Sequence, residues 1–379
     1  MRKYHLLAPG PTPVPPQVLE AMARPLVHHR TKDFETLFAE VRSGLSWLHQ
    51  DKGDVIILAS SGTGGMEAAV ANLLSPGDGA LVVEGGKFGE RWTEICKAYG
   101  MAADVLRVEP GYSLRLDELE SRLDPSRHKA VFIQASETST GAKHDVRALG
   151  GLLKKKSPDT LLVVDAITAL GVYDIRPAEW GIDVLVGGSQ KALMLPPGLA
   201  TLWLSDRAWA AAAKSRSPRY YFDLRIERKV QAKNTTAWTP AISLIVGLRV
   251  ALEMMRQEGL TGIFKRHAKL AAATQAAVEA LGLEIFPRDL RSESVTAVRV
   301  PEGVNGKAIP DRMQDTYGVT IAGGQGELAG KIFRIGHLGY VDESDVLTAV
   351  GALESVLADL GRRVDRGAGV AAAQEVFLG

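Results

Sequence analysis

Cysteine is almost absent from this sequence, because Cys96 is the one cysteine among its 379 residues. A lone cysteine excludes an intramolecular disulfide and any zinc or iron–sulfur site built from several cysteines. The residues around Cys96 follow the pattern of an amphipathic helix, so we expect a buried structural thiol. The adjacent His28 and His29 lack a third histidine or a carboxylate at ligand spacing, and neighbouring side chains are expected to diverge. We therefore assign no metal.

The sequence also lacks an excess of charge of either sign and a long hydrophobic run. Its 45 Lys and Arg residues and 44 Asp and Glu residues leave a net charge of +1, which provides no electrostatic reason to bind nucleic acid or an anionic membrane. The apolar residues near the N-terminus run at once into prolines, which argues against a signal segment or a membrane span. We expect a cytoplasmic protein that binds small molecules.

What the sequence does contain is a regular alternation of short apolar runs with helical stretches. The runs lie at 55–58, 80–83, 130–133, 161–164, 184–186 and 200–203. Runs that are apolar on both faces and separated by helices predict a mainly parallel sheet covered on both sides. A long helix is predicted over 244–257, and near Gly282 the pattern changes to a shorter α+β alternation.

These patterns predict an α/β protein with a large, mainly parallel-sheet domain and a smaller α+β C-terminal domain. The predicted divisions are an N-terminal segment 1–17, a large domain 18–257 and a small domain 258–379. The small-residue tail 367–373 is expected to form a loosely attached C-terminal helix.

Three groups of residues follow predicted strands, and ligands bind beyond the carboxyl ends of strands in such sheets. The turn 60–65, with sequence SSGTGG, precedes a helix, so its free N–H groups suit a phosphate, although such turns also serve only as caps. Asp165 ends one strand and needs a positively charged or proton-donating partner there, unless it only caps the next helix. Lys191 follows the next strand, where desolvation lowers the pKa of an amine toward a value at which it can form an imine.

Five ordered motifs carry a resemblance to a known family: SSGTGGMEAAVANLL, ETSTG, VVDAITALG, GSQKALMLPPG and RIGHLG. Together they resemble the class V aminotransferases, most closely the alanine/serine–glyoxylate aminotransferase group. The resemblance runs from the N-terminal LLAPGPTPVPP to residues 334–336 and leaves the tail after about Gly361 outside. It implies the PLP-dependent aminotransferase fold (fold type I), pyridoxal 5′-phosphate (PLP) as cofactor, and transfer of an amino group from alanine or serine to glyoxylate or pyruvate.

The resemblance also implies roles for individual residues. Lys191 would hold PLP as an imine, Asp165 would pair with the pyridine nitrogen, and Arg334 would bind the substrate carboxylate. A rigid guanidinium suits that last task because it can bind a carboxylate with two parallel hydrogen bonds. The remaining implied cofactor contacts are Ser61, Gly62 and Thr63 in the phosphate turn, Gln190 beside the phosphate, Thr138 near the phenolic oxygen, Phe88 stacked on the ring where many relatives have tryptophan, and Ile167 beneath it.

A homodimer whose active sites use both chains is a further implication. Segment 234–240 would supply hydroxyls to the partner's phosphate, with Thr236 and Thr239 as the candidates. Segment 28–31 would lie near the substrate mouth.

Several other functions compete with this interpretation. A cysteine desulfurase needs a catalytic cysteine in the second half of the chain, where this sequence has none. A dinucleotide-binding dehydrogenase needs a glycine fingerprint that the turn 60–65 does not match. Another class V enzyme, such as a phosphonate-type aminotransferase or a lyase, stays open because pocket residues choose the substrate. Some similar chains carry the label of a soluble hydrogenase subunit, but one cysteine cannot supply the ligands of a metal centre, so a non-catalytic hydrogenase-associated role lacks chemical support.

Overall fold

The computed structural model describes residues 3–379, so the first two residues of the predicted segment 1–17 lie outside the described residues. The strands are β1 (His5–Leu6), β2 (Asp54–Ala59), β3 (Gly79–Glu84), β4 (Ala102–Arg107), β5 (His128–Gln134), β6 (Ser136–Glu137), β7 (Ala142–Lys143), β8 (Leu161–Asp165), β9 (Val184–Gly188), β10 (Leu199–Leu204), β11 (Val295–Arg299), β12 (Val319–Thr320), β13 (Ala322–Gly323) and β14 (Ile332–Gly336).

Helices connect these strands. They are α1 (Pro16–Met22), α2 (Lys32–Leu48), α3 (Gly62–Leu73), α4 (Lys87–Ala98), α5 (Leu116–Arg122), α6 (Val146–Lys156), α7 (Pro177–Trp180), α8 (Asp206–Lys214), α9 (Leu224–Gln231), α10 (Ile242–Glu258), α11 (Leu260–Ala280), α12 (Ala308–Tyr317), α13 (Glu343–Asp359) and α14 (Ala368–Leu378), with a short 3₁₀ turn at Gly326–Leu328.

Seven strands of the described chain form the central sheet, in the order β2-β10-β9-β8-β5-β3-β4. Neighbours from β9 to β4 pair in parallel, whereas β10 runs antiparallel to both β2 and β9. The predicted mainly parallel sheet is therefore confirmed. The edge strand β4 was missed because it is largely exposed or half-buried, so it lacks the continuous apolar run that marks a strand buried on both faces.

Successive side chains of the sheet divide between two apolar layers, as the two-residue period of a strand requires. Val55 and Ile57 of β2 pack in the layer that contains α2 and α10. Ile56 and Leu58 pack in the opposite layer, which contains α3 and α4. Cys96 lies in this second layer, fully buried as expected, and burial raises the pKa of its thiol to about 12.

A smaller unit follows α11, and the predicted change to an α+β pattern is confirmed. Its antiparallel sheet has the order β11-β14-β13, and its apolar cluster joins that sheet to α11, α13 and α14. The N-terminal strand β1 pairs in parallel with β12 of this unit, so the start of the chain lies across both parts. The division at 257/258 stays a prediction.

The C-terminal helix α14 is not loosely attached, and that expectation was wrong. Its Gly369 and Ala373 are buried, and it packs along α11 and α13. The carboxylate of Glu354 in α13 accepts hydrogen bonds from the N–H groups of Gly367, Gly369 and Val370 at 2.7–3.1 Å. Small side chains allow close packing that composition alone does not reveal. Among residues 3–379, no helix has the length and apolar character needed to cross a membrane.

Candidate active site

The carboxyl edge of the central sheet brings most of the predicted site residues together, although Arg334, Thr236 and Thr239 do not line the cavity there. Because parallel strands all end at this edge, the segments that follow them converge there. A cavity of about 130 Å³ lies at this edge. Its lining consists of Ser61, Gly62, Thr63, Phe88, Arg91, Thr138, Asp165, Ile167, Thr168, Gln190 and Lys191.

The turn after β2 presents the N-terminus of α3 to this cavity. Ser61 is the N-cap residue, and its side chain makes no capping hydrogen bond within the described chain, so hydroxyl and backbone N–H groups remain available to a ligand. Glycine is required at position 62 because the turn lies very close to Ile167. A Cβ at this position would lie 2.3 Å from Cδ1 of Ile167. The turn 60–65 and the residue predicted to lie beneath the ring thus pack directly on each other.

Asp165 ends β8 with its carboxyl group buried. Its Oδ1 accepts a hydrogen bond from the Ile167 N–H at 2.8 Å. Burial raises the pKa of this carboxyl to about 7, against the lowering effect of that hydrogen bond. A cationic donor next to Asp165 would stabilise the ionised form.

Lys191 lies in the loop after β9, and burial lowers the pKa of its amine to about 8, although the charge of Asp165 opposes this shift. Its Nζ donates to the carbonyl of Pro9 at 2.6 Å. The N-terminal segment therefore lies directly over the lysine, and Gly10 leaves the space because a Cβ there would lie 2.0 Å from Nζ. Next to it, Oε1 of Gln190 is buried without a hydrogen-bond partner among residues 3–379.

Phe88 is held by a buried carboxylate that the sequence interpretation did not single out. Glu137 is fully buried and accepts hydrogen bonds from the N–H groups of Phe88 at 3.2 Å, Gly89 at 3.0 Å and Ser139 at 3.1 Å. The contacts to Phe88 and Gly89 cap the N-terminus of α4 with a carboxylate. Burial nevertheless raises the pKa of Glu137, against these hydrogen bonds.

Arg334 lies in the middle of β14, in the smaller unit, and is 5% exposed. Its Nε and Nη2 donate to the Gly323 carbonyl at 3.0 and 2.8 Å, and Nη1 donates to the Thr138 carbonyl at 2.9 Å. Three of the five guanidinium N–H groups are so engaged, which leaves two for a carboxylate. Burial lowers the pKa of Arg334 to about 10, and the charge of Glu137 opposes that shift.

Thr236 and Thr239 lie outside this cavity and line a separate narrow cleft beside Tyr221 and Glu227. The hydroxyl of Thr236 donates to the Trp238 carbonyl at 2.7 Å.

Segment 28–31 lies against the same loop, because Nη1 of Arg30 donates to the Thr235 hydroxyl and the Thr236 carbonyl at 2.6 and 2.7 Å. The rings of His28 and His29 lie 4.7 Å apart, so the expectation that they diverge was wrong. The described residues hold no group of three or more potential metal ligands.

Two cavity residues, Arg91 and Thr168, were missed in the sequence. Arg91 follows Phe88 by three residues, so helix α4 places both on one face. Thr168 follows Asp165 by the same interval, and its hydroxyl lies 3.5 Å from that of Thr138. The signal for Arg91 was its i,i+3 relation to Phe88, whereas Thr168 lies in a turn after β8 and has no helical signal.

Comparison with known families gives the geometry its context. The model of the family described as aminotransferase class-V matches residues 4–336. The chain belongs to this family. The resemblance stated from the motifs is confirmed.

Similar proteins carry two kinds of name. A 45% identical protein of Synechococcus sp., named soluble hydrogenase, small subunit, aligns over 99% of this chain and 98% of its own length, so that alignment includes tail residues placed outside the resemblance. The L-aspartate–glyoxylate aminotransferase of Paracoccus denitrificans is 37% identical over 98% of this chain and 96% of its own. The serine–glyoxylate aminotransferase of Hyphomicrobium methylovorum is 36% identical over 98% and 94%.

A solved structure confirms the fold of this class-V aminotransferase. The alanine–glyoxylate aminotransferase of Nostoc sp. superposes with a TM-score of 0.90 at 33% identity, covering 94% of this chain and 96% of the other. The predicted PLP-dependent aminotransferase fold of type I is confirmed.

Proposed function

We propose that this aminotransferase carries PLP covalently on Lys191 and moves an amino group from a small amino acid, alanine or serine, to glyoxylate or pyruvate. The observation that carries the proposal is the pairing of a buried amine with a buried carboxyl group in one cavity. Burial shifts the pKa of Lys191 down and that of Asp165 up. Burial thereby favours the neutral form of both groups, because an isolated buried charge is costly.

The residues present fit PLP at each of its functional groups. The free N-terminus of α3, with Ser61 and Thr63, suits the phosphate. Asp165 suits a protonated ring nitrogen, and the side-chain amide N–H groups of Gln190, which lines the same cavity, suit a phosphate oxygen. Phe88 and Ile167 line the same cavity and suit the two faces of a flat ring.

When bound, PLP supplies an electrophilic carbon for amino-group exchange and a ring that takes up electrons from the substrate. Asp165 holds the proton on the ring nitrogen. The amine of Lys191 holds the cofactor and moves the proton at the substrate α-carbon. Arg334 orients the substrate carboxylate through its two free N–H groups. Pro9 and Gly10 cover Lys191 and help exclude water.

Support for the substrate class comes from the relatives. Glyoxylate is shared by the names of the three aminotransferases compared above, whereas their donors differ. These names therefore support glyoxylate as the amino acceptor more directly than they support any one amino donor.

We also propose a homodimer with shared active sites. Tyr220 is 74% and Tyr221 is 44% exposed, and both rings lie within 4.9–6.0 Å of the Trp238 ring. An exposed aromatic patch of this kind is typical of an interface. It adjoins Thr236 and Thr239, which are the candidate donors to the partner's phosphate. A cytoplasmic location stays a prediction from composition.

The test is chemical labelling followed by substrate selection. Borohydride reduction and peptide mapping should place the pyridoxyl group on Lys191, and alanine or serine should convert the bound cofactor to its amine form in a single turnover. Labelling of another lysine would contradict the site. The hydrogenase name of the Synechococcus relative favours a second candidate, a non-catalytic subunit. A purified protein that neither turns yellow with PLP nor exchanges amino groups would support that candidate instead.

A further inference from the structure

Arg91 places a second basic side chain, besides Lys191, in the lining of the cavity. It lies on α4, one turn after Phe88, and lines the same cavity as Lys191 and Asp165. Its Nη1 donates to the hydroxyl of Thr63 at 3.2 Å. Its guanidinium carbon lies 4.9 Å from the centre of the Phe88 ring. Two contacts on different elements therefore fix the position of this side chain.

Among residues 3–379, the phosphate end of the cavity otherwise lacks a full positive charge. Ser61, Gly62, Thr63 and Gln190 are neutral, and a helix N-terminus contributes only about half an elementary charge. Lys191 is assigned to the covalent link, and Arg334 is held by carbonyl groups at Thr138 and Gly323. A phosphate carries a charge of roughly −1.5 to −2 at pH 7, as phosphorylated side chains do. A buried anion of this size needs a cation near it.

We propose that Arg91 binds the phosphate of PLP, together with Thr63 and the N-terminus of α3. This inference rests on the proposed function and adds a residue that the phosphate turn alone does not predict. The hydrogen bond to Thr63 places the guanidinium beside the turn, and the face of Phe88 holds it there. Arg91 thereby links the phosphate to the residue stacked on the ring.

The electrostatics of the cavity agree with this position. The positive charge of Arg91 lowers the pKa of both Lys191 and Asp165. Burial has a larger effect than Arg91 on each of these pKa values. Arg91 therefore lies near enough to influence both groups that act on the cofactor.

Two other roles for Arg91 make different predictions. If it serves only to pack on Phe88, its loss weakens the binding of the pyridine ring whether or not a phosphate is present. If it instead binds the second carboxylate of a dicarboxylic amino donor, its loss raises KM for aspartate and leaves cofactor binding unchanged.

The experiment compares PLP with pyridoxal, which has the same ring and aldehyde but no phosphate. Apoprotein of wild type, Arg91→Met and Arg91→Lys is titrated with each compound, and the dissociation constants are measured from absorption and protein fluorescence. Arg91→Met keeps the length and much of the apolar stem of the side chain. Lys97→Met is the matched control, because Lys97 is an exposed cation on the same helix. Circular dichroism checks that each variant is folded.

Arg91→Met is expected to weaken PLP binding roughly tenfold to a hundredfold and to change pyridoxal binding less than about twofold. Arg91→Lys should recover part of the loss, since it restores the charge without the planar fork. Lys97→Met should match wild type. Inorganic phosphate should compete with PLP less effectively in Arg91→Met than in wild type.

An equal loss of affinity for PLP and pyridoxal would overturn the inference in favour of packing on Phe88. Unchanged PLP affinity would also overturn it, and a raised KM for aspartate in that case would assign Arg91 to the donor. Failure of the wild-type protein to bind PLP at all would instead overturn the proposed function, and this inference with it.

Discussion

At the scale of single residues, Asp165 offers the most direct test of the proposed electron uptake by the cofactor ring. An amide at this position cannot hold the proton on the ring nitrogen. Asp165→Asn should fold normally but slow the half-reaction with alanine roughly a hundredfold or more. Stopped-flow absorption of the bound cofactor measures that rate. A near-normal rate would instead show that Asp165 only caps the turn after β8 through its hydrogen bond from the Ile167 N–H.

Lys191 leads to a prediction about pH. Burial lowers the pKa of its amine from the ordinary value of 10.5 to about 8, so the neutral, nucleophilic form increases as the pH rises through about 8. Covalent attachment of PLP to the apoprotein should therefore accelerate with rising pH and level off above that value. The rate of borohydride-trapped labelling, measured from about pH 6 to about pH 10, tests this expectation. A midpoint near that of an exposed lysine would contradict the burial of the amine.

Arg334 tests the orientation of the substrate. Lysine keeps the charge but loses the fork that both contacts Gly323 and presents two N–H groups. Arg334→Lys should lower kcat/KM for alanine and serine with glyoxylate by roughly a hundredfold, which corresponds to about 2.7 kcal/mol. Attachment of PLP to Lys191 should survive. A simple amine without a carboxylate is the control substrate, and an equal loss for it would remove Arg334 from the carboxylate site.

At the scale of elements, the attachment of α14 depends on one carboxylate. Glu354 accepts three N–H groups at the start of this helix, and glutamine can replace only part of that acceptor capacity. Glu354→Gln should reduce the local stability of the tail by about 1–2 kcal/mol. Hydrogen exchange of residues 368–378 measures the effect. Glu375→Gln, on the same helix, is the control, and equal protection in both variants would show that packing alone holds the tail.

The elements also show where sequence patterns succeed. The six apolar runs became strands β2, β3, β5, β8, β9 and β10, because strands buried on both faces must be apolar throughout. The edge strand β4 lacks that constraint and was missed. The tail was misjudged because alanine and glycine do not reveal in sequence which neighbour will cover them.

At the scale of the whole molecule, the aromatic patch predicts an association of two chains. A charge in such a patch would be desolvated on association, at a cost of several kcal/mol. Tyr220→Asp should therefore shift the protein toward a monomer in sedimentation experiments and weaken PLP binding, since the partner's hydroxyls would be lost. Tyr112→Asp is the control, since Tyr112 is 40% exposed and outside the patch. A wild-type protein that sediments as a single chain would contradict the shared site.

The sequence by itself determined that Ser61, Asp165 and Lys191 would meet, because each follows a strand and parallel strands end at one edge. The family motifs added Arg334 and its expected task. Only the tertiary structure decided that Pro9 and Gly10 lie over Lys191, that Glu137 holds the backbone of Phe88, and that Arg91 reaches Thr63. These contacts join segments far apart along the chain, and no local periodicity encodes them. They depend on how the N-terminal segment, α4 and the smaller unit pack around the edge of the sheet.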